Sequence, residues 1–137
     1  MAIDGSDNAL RAVGLASRIA RNNNAELLIL HVMVVPSSIS GNIYVPFEKI
    51  EEKMRASGEQ FLAVAAGVAK NEGIEPRTQL VEGFESPASS IAEYSQENNV
   101  DLIVVGTRGL GGFKRLLLGS VASAVVHYAH CSVLVVR

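Results

Sequence analysis

The chain has 137 residues, 48% of them apolar and 19% charged, with a formal net charge of −2. That length fits one domain, residues 1–137, with a sizeable core, and the weak negative charge gives no electrostatic reason to expect nucleic acid or an anionic membrane as a partner. No run approaches the roughly 20 apolar residues of a spanning helix, the opening Met1-Ala2-Ile3-Asp4-Gly5 has neither the basic nor the apolar segment of a signal peptide, and a single cysteine, Cys131, makes no internal disulfide and favours a reducing cytoplasm.

Apolar runs rich in β-formers alternate with helix-period runs. Met1-Ala2-Ile3 is a short apolar stub. Ala9, Val13, Ala16 and Ala20 recur at helical spacing and predict a helix over about 8–21, capped by Ser6 or Asp7. Leu27-Leu28-Ile29-Leu30-His31-Val32 is a continuous apolar run, as in a strand buried on both faces. Residues 36–45 carry Ser37, Ser38, Ser40, Gly41 and Asn42 and read as a loop, expected to be mobile and to close over a ligand. Ile50, Met54, Phe61, Ala65 and Val68 share one stripe and predict a single helix over 47–71, with Gly58 a weak point inside it. Residues 77–82 form a more polar run, expected at a sheet edge. Ser86-Pro87 starts a helix, because proline at the first helical position gives up no needed N–H, and Ala88, Ile91, Ala92 and Ser95 face inward. Residues 102–105 and 133–136 are the last two strands and flank a helix that begins near Ser120.

This βαβαβαβαβ pattern predicts an α/β fold with one open parallel sheet and helices on both faces. In such sheets ligands bind beyond the carboxyl ends of the strands, where the strand order reverses. With the order 3-2-1-4-5, strands one and four flank that point, and Asp4 and Gly106 become neighbours across a crevice.

The densest signal lies there. Gly106-Thr107-Arg108-Gly109 follows the fourth strand, and after nine intervening residues Gly119-Ser120 opens a helix. Glycines let backbone approach an anion closely, and the free N–H groups of a helix's first turn face it. That combination predicts a bound phosphate. Ser120 is also a natural N-cap. Arg108, Lys114 and Arg115 lie in the same loop, where they either screen phosphate charge or form a solvated basic surface. The Gly-Lys-Ser/Thr of P-loop enzymes is absent. His31, His127 and His130 read as structural. His127 and His130 stand three apart on the last helix, a spacing that suits a metal but lacks an evident third ligand. Cys131 reads as a small packed residue.

Ala2-Ile3-Asp4-Gly5-Ser6, Leu30-His31-Val32, the Gly106-x-x-Gly109 loop with its nine-residue spacing to Gly119-Ser120, and the closing Val133-Leu134-Val135-Val136 together resemble the universal stress protein family. The resemblance spans essentially the whole chain and implies the 3-2-1-4-5 Rossmann-like sheet and a homodimer. The glycine spacing is similar to that of the family's ATP-binding subclass. It implies that Asp4 contacts the ribose or base region, that Val32 holds adenine through its backbone, and that Gly106 and Gly109 line the ribose and phosphates. It also implies that Gly119, Ser120 and Val121 present amides, with the Ser120 hydroxyl, to the phosphates of ATP, ADP or AMP, with Mg²⁺ accompanying the nucleotide. Two departures stand out. Only three residues precede Asp4, and a central strand that short places a charged amino terminus in the sheet, which is costly; further residues ahead of Met1 are expected. Ala122 stands where several ATP-binding relatives carry Ser or Thr, which removes a hydroxyl from the γ-phosphate or its metal.

The leading expectation is a cytoplasmic ATP-binding regulatory or stress-response module with at most slow hydrolysis, since no activated nucleophile, carboxylate dyad or metal cluster is evident. It dimerises through the apolar edge strand 132–136. A nucleotidyl-transferring or pyrophosphatase enzyme needs a His-x-Gly-His signature or a Ser-Gly-Gly-x-Asp-Ser loop, and Asp4-Gly5-Ser6-Asp7-Asn8 is neither. A phospho-accepting receiver needs an acceptor Asp after the third strand, which here ends Val81-Glu82-Gly83. A dimeric scaffold with no resident nucleotide is the remaining alternative.

Overall fold

The computed structural model describes residues 1–34, 47–83, 86–109 and 118–137. The expected mobile loop at 36–45, with Lys114 and Arg115, lies outside them. Among the described residues five strands and four helices alternate: β1 (Ala2–Ile3), α1 (Asp7–Asn22), β2 (Leu28–Val34), α2 (Phe47–Asn71), β3 (Arg77–Gly83), α3 (Pro87–Glu97), β4 (Leu102–Gly106), α4 (Ser120–Tyr128) and β5 (Ser132–Val136).

All pairings are parallel. β2 joins β1 and β3, with Ile3 opposite His31 and His31 opposite Leu80, and β4 joins β5, with Val105 opposite Val135. β1 packs beside β4 without a hydrogen-bonded ladder, so the strands follow the expected order 3-2-1-4-5 as two hydrogen-bonded sheets. The Met1 ammonium donates to the Leu28 carbonyl at 2.9 Å, and burial lowers its pKa from 8.0 to about 6. Charge at the inner end of a central strand is therefore disfavoured, as the short first strand led us to expect.

Two cores clothe the sheet, divided by the two-residue period of its strands. Ile3, Ile29 and Val104 point to one side, against Ala9, Val13 and Ala16 of α1 and Leu62 and Ala65 of α2. Leu30, Ile103 and Val105 point to the other, against Ala88 and Ile91 of α3 and Ala122 and Val125 of α4. The α1 face is mostly alanine, which lets helix and sheet approach closely. Helices α1 and α3 end alike. Each has an Asn whose side chain donates back to a carbonyl of the last turn (Asn23 to Ile19, Asn98 to Tyr94), followed by an Asn with positive φ (Asn24 at 55°, Asn99 at 51°). Asn tolerates that conformation better than most residues.

α2 runs unbroken through Gly58. A Cβ there would stand 2.7 Å from Leu80 Cδ1 and 2.8 Å from His31 Cδ2. The glycine is thus a close-packing point of helix on sheet, and its cost in helix propensity is offset by that approach. Among the described residues β3 pairs only with β2, so it is an edge strand, as its polarity predicted.

Candidate functional site

At the carboxyl ends of β1 and β4 a cleft of about 540 Å³ opens between the β1–α1 turn, the residues after β4 and the start of α4. Asp4, Val32, Gly106, Arg108, Gly109, Gly119, Ser120 and Val121, the eight residues singled out in the sequence, all line it. Its apolar floor comes from residues the sequence did not single out for this role: Ala2, Ile3, Val105, Pro87 and Ile91. They are strand-end and helix-start positions, which only the folded order brings together.

The β1–α1 turn is fixed locally. Gly5 has φ +84°, and the Phe61 ring lies against it, 2.6 Å from where a Cβ would stand. Asp4 Oδ1 accepts the Ser6 N–H at 3.0 Å, and Ser6 Oγ caps α1 by accepting the Ala9 N–H at 3.2 Å. Ser6 is therefore the cap, while Asp4 braces the turn and sends Oδ2 toward the loop after β4. A Cβ on Gly109 would collide with that Oδ2. The residue facing Asp4 is thus Gly109. Gly106, expected opposite Asp4, packs instead on α1, where a Cβ would stand 3.3 Å from Ala9 N and Asn8 C.

Thr107, buried and not singled out by the sequence, organises the other wall. Its N–H donates to Val136 O at 2.7 Å and its carbonyl accepts the Gly119 N–H at 2.7 Å. The chain that leaves β4 is therefore back at the same point at Gly119, nine intervening residues beyond Gly109. A Cβ on Gly119 would stand 3.2 Å from Thr107 O, so glycine permits the approach. Two expectations change as a result. The Gly119 amide is used within the protein, and the N-cap of α4 is Gly119 rather than Ser120, which is the first helical residue.

The caps differ in a way that matters chemically. Ser6 caps α1 and Ser86 caps α3, whereas α4 has no side-chain cap. The first intrahelical bond of α4 runs from Ser123 N to Gly119 O, leaving the amides of Ser120, Val121 and Ala122 without a helical partner. They open on the cleft with the positive end of the helix dipole behind them. Arg108 adds a cation. Its Nε is buried without a hydrogen-bond partner, and such a donor calls for an acceptor. Uncapped amides, an orphaned guanidinium nitrogen and glycine backbone make a donor-rich wall suited to an anion. The floor is apolar enough for a flat ring.

The histidines are placed as follows. His31 lines the cleft, with Nδ1 2.9 Å from Ile3 O. His127 lies edge-on to Tyr128, and His130 Nε2 is 3.2 Å from Val100 O. α4 ends at Tyr128, so His130 is not on the same helix as His127, contrary to expectation. Among the described residues no group of three potential metal ligands forms.

The family model described as the universal stress protein family matches residues 1–137. The universal stress protein YxiE of Bacillus subtilis is 38% identical over 144 residues, covering 100% of this chain and 96% of that one. This chain belongs to the universal stress protein family. A solved universal stress protein in complex with cAMP superposes with a TM-score of 0.73 at 32% identity, covering 100% of this chain and 93% of the other. The universal stress protein of Archaeoglobus fulgidus in complex with dAMP gives 0.69 at 25% identity, covering 99% and 94%.

For a universal stress protein, the missing α4 cap is the feature least visible in the sequence, because Gly119 and Ser120 are both good N-cap residues. Thr107 shows in the sequence only as one of the two residues between Gly106 and Gly109.

Proposed function

We propose that this universal stress protein binds an adenine nucleotide in the cleft beyond β1 and β4, as a nucleotide-responsive regulatory or stress-response module. The observation that carries the reading is the uncapped start of α4, opposite Asp4 and beside the buried, unpartnered Arg108 Nε. Relatives solved with cAMP and dAMP support the choice of adenine nucleotide. In this reading Ser120, Val121 and Ala122 donate backbone N–H groups to phosphate, and Arg108 screens its charge. Gly106 and Gly109 let ribose and phosphate approach, Asp4 takes ribose hydroxyls, and Val32 borders the base.

ATP is the nucleotide we favour, with ADP and AMP as weaker ligands that engage fewer of these donors. Mg²⁺ would arrive on the phosphates, because Asp4 is the only carboxylate among the described cleft residues and its Oδ1 already holds Ser6 N–H. Binding, with at most slow hydrolysis, fits the ionisable groups present: Asp4 and His31 are each tied to backbone. Among the described residues the outer edge of β5 pairs with no other strand, which supports a homodimer closed through that strand. No helix among the described residues is long and apolar enough to cross a membrane, and a cytoplasmic location is part of the same proposal.

Calorimetry with MgATP on nucleotide-free protein tests the reading, together with mass spectrometry of any ligand released on denaturation. Micromolar binding, about −7 to −9 kcal/mol, is expected. No heat up to millimolar ATP would overturn it.

A further inference from the structure

Three residues outside the phosphate wall, His31, Phe61 and Gly58, converge on the β1–α1 turn. His31 Nδ1 lies 2.9 Å from the carbonyl of Ile3, the residue just before Asp4. A carbonyl only accepts, so Nδ1 carries the ring hydrogen and donates it. The His31 ring meets Phe61 edge-on, with centroids 5.5 Å apart and planes at 76°. Phe61 in turn lies against Gly5, whose φ of +84° sets the direction of the turn. Gly58, one turn earlier on α2, has no side chain to displace the imidazole, so the helix seats directly on His31.

The contacts form a continuous path. Gly58 and Phe61 of α2 hold His31 and Gly5; His31 holds Ile3 O; Asp4 is fixed between that carbonyl and the Ser6 amide, facing Gly109. We propose that His31 and Phe61 are positioning residues for Asp4: the Nδ1–H bond to Ile3 O and the ring stacked on Gly5 aim the carboxylate into the cleft. The idea rests on the nucleotide reading above, for which Asp4 must be held in place before ligand arrives.

The chemistry separates this role from two simpler ones. A pure packing role depends on the bulk of residue 31 and not on its N–H. A direct ligand contact would use the other ring nitrogen, Nε2. Asparagine places an amide N–H near the position of Nδ1, glutamine near that of Nε2, and leucine offers neither. The test is therefore the set His31→Asn, His31→Gln, His31→Leu and Phe61→Leu. MgATP affinity is read by calorimetry and amide exchange of Ser6 by NMR in nucleotide-free protein, with thermal melts alongside.

Loss of one positioning hydrogen bond should weaken ATP binding about tenfold in His31→Leu and speed Ser6 exchange about tenfold. Phe61→Leu should do the same, and His31→Asn should restore both to within about threefold of wild type. His31→Leu that binds ATP as wild type does, or leaves Ser6 exchange unchanged, would overturn the proposal. So would rescue by Gln rather than Asn, which would assign the contact to Nε2. If wild type itself binds no ATP, the nucleotide reading fails, while Ser6 exchange still decides whether His31 positions the turn.

Discussion

Replacing Gly109 with alanine puts a methyl where the Asp4 carboxylate stands. The built Cβ collides with Oδ2 and lies 3.3 Å from Cγ, so the carboxylate or the loop must move. The carboxylate cannot swing freely, because Oδ1 holds the Ser6 N–H at 3.0 Å. A hydrogen bond to a charged group is worth about 1.5–3 kcal/mol, and this half-exposed one lies at the lower end. Gly109 is exposed and sits outside any helix or strand. Most of the effect should therefore fall on the cleft: stability should drop by no more than about 1 kcal/mol, a few degrees in Tm. MgATP affinity should fall about tenfold, about 1.4 kcal/mol. Asp4→Ala should cost a similar amount, since it removes the same carboxylate. The double variant is the sharper measurement. With Asp4 trimmed, the methyl at 109 meets nothing, so Asp4→Ala/Gly109→Ala should bind about as well as Asp4→Ala alone, not about a hundredfold more weakly than wild type. Calorimetry on the four proteins, with thermal melts as control, closes the cycle. Additive losses, or unaltered binding by Gly109→Ala, would refute the contact.

Gly5→Ala should be far more disruptive, because it meets both a φ of +84° and the Phe61 ring; a loss of about 2–4 kcal/mol in urea unfolding is expected. In a polypeptide beginning at Met1, the buried amine has its pKa lowered from 8.0 to about 6. The unfolded chain then binds that proton more readily, so this group's penalty is absent above about pH 8 and complete below about pH 6. Stability should fall by about 3 kcal/mol across that window, and acetylating the amine should abolish the slope. Val136 O accepts from Thr107, so Val136 points its backbone toward β4 and Val135 points its N–H to the open edge. Val135→Pro should thus leave the β4–β5 ladder intact and convert a wild-type dimer to monomer in analytical ultracentrifugation; a variant that stays dimeric would place the interface elsewhere.

The helices were legible because their signals are local. The alanine stripe of α1, the Ser86-Pro87 start of α3 and the 25-residue length of α2 each follow from neighbours in sequence. The cleft was legible for a related reason: glycine loop and helix start lie within 15 residues of one another, from Gly106 to Ser120. What escaped depends on distant partners. Gly58 reads as a helix weakness until His31 and Leu80 from two strands are set beneath it. Ser120 reads as a cap until the Thr107 carbonyl takes the Gly119 amide and moves the helix start one residue back. Gly109, not Gly106, meets Asp4 because Gly106 is still within β4 and packs on α1.

The central claim is that an adenine nucleotide seats its phosphates on the uncapped start of α4. Titrating ¹⁵N-labelled protein with MgATP reads those amides one by one. The account predicts saturable shifts at Gly109, Ser120, Val121 and Ala122, and at the Arg108 Nε–H, with the amino-terminal ends of β2 and β5, Leu28 and Ser132, far less affected. No shifts at millimolar ATP, or shifts confined to residues outside this cleft, would contradict it.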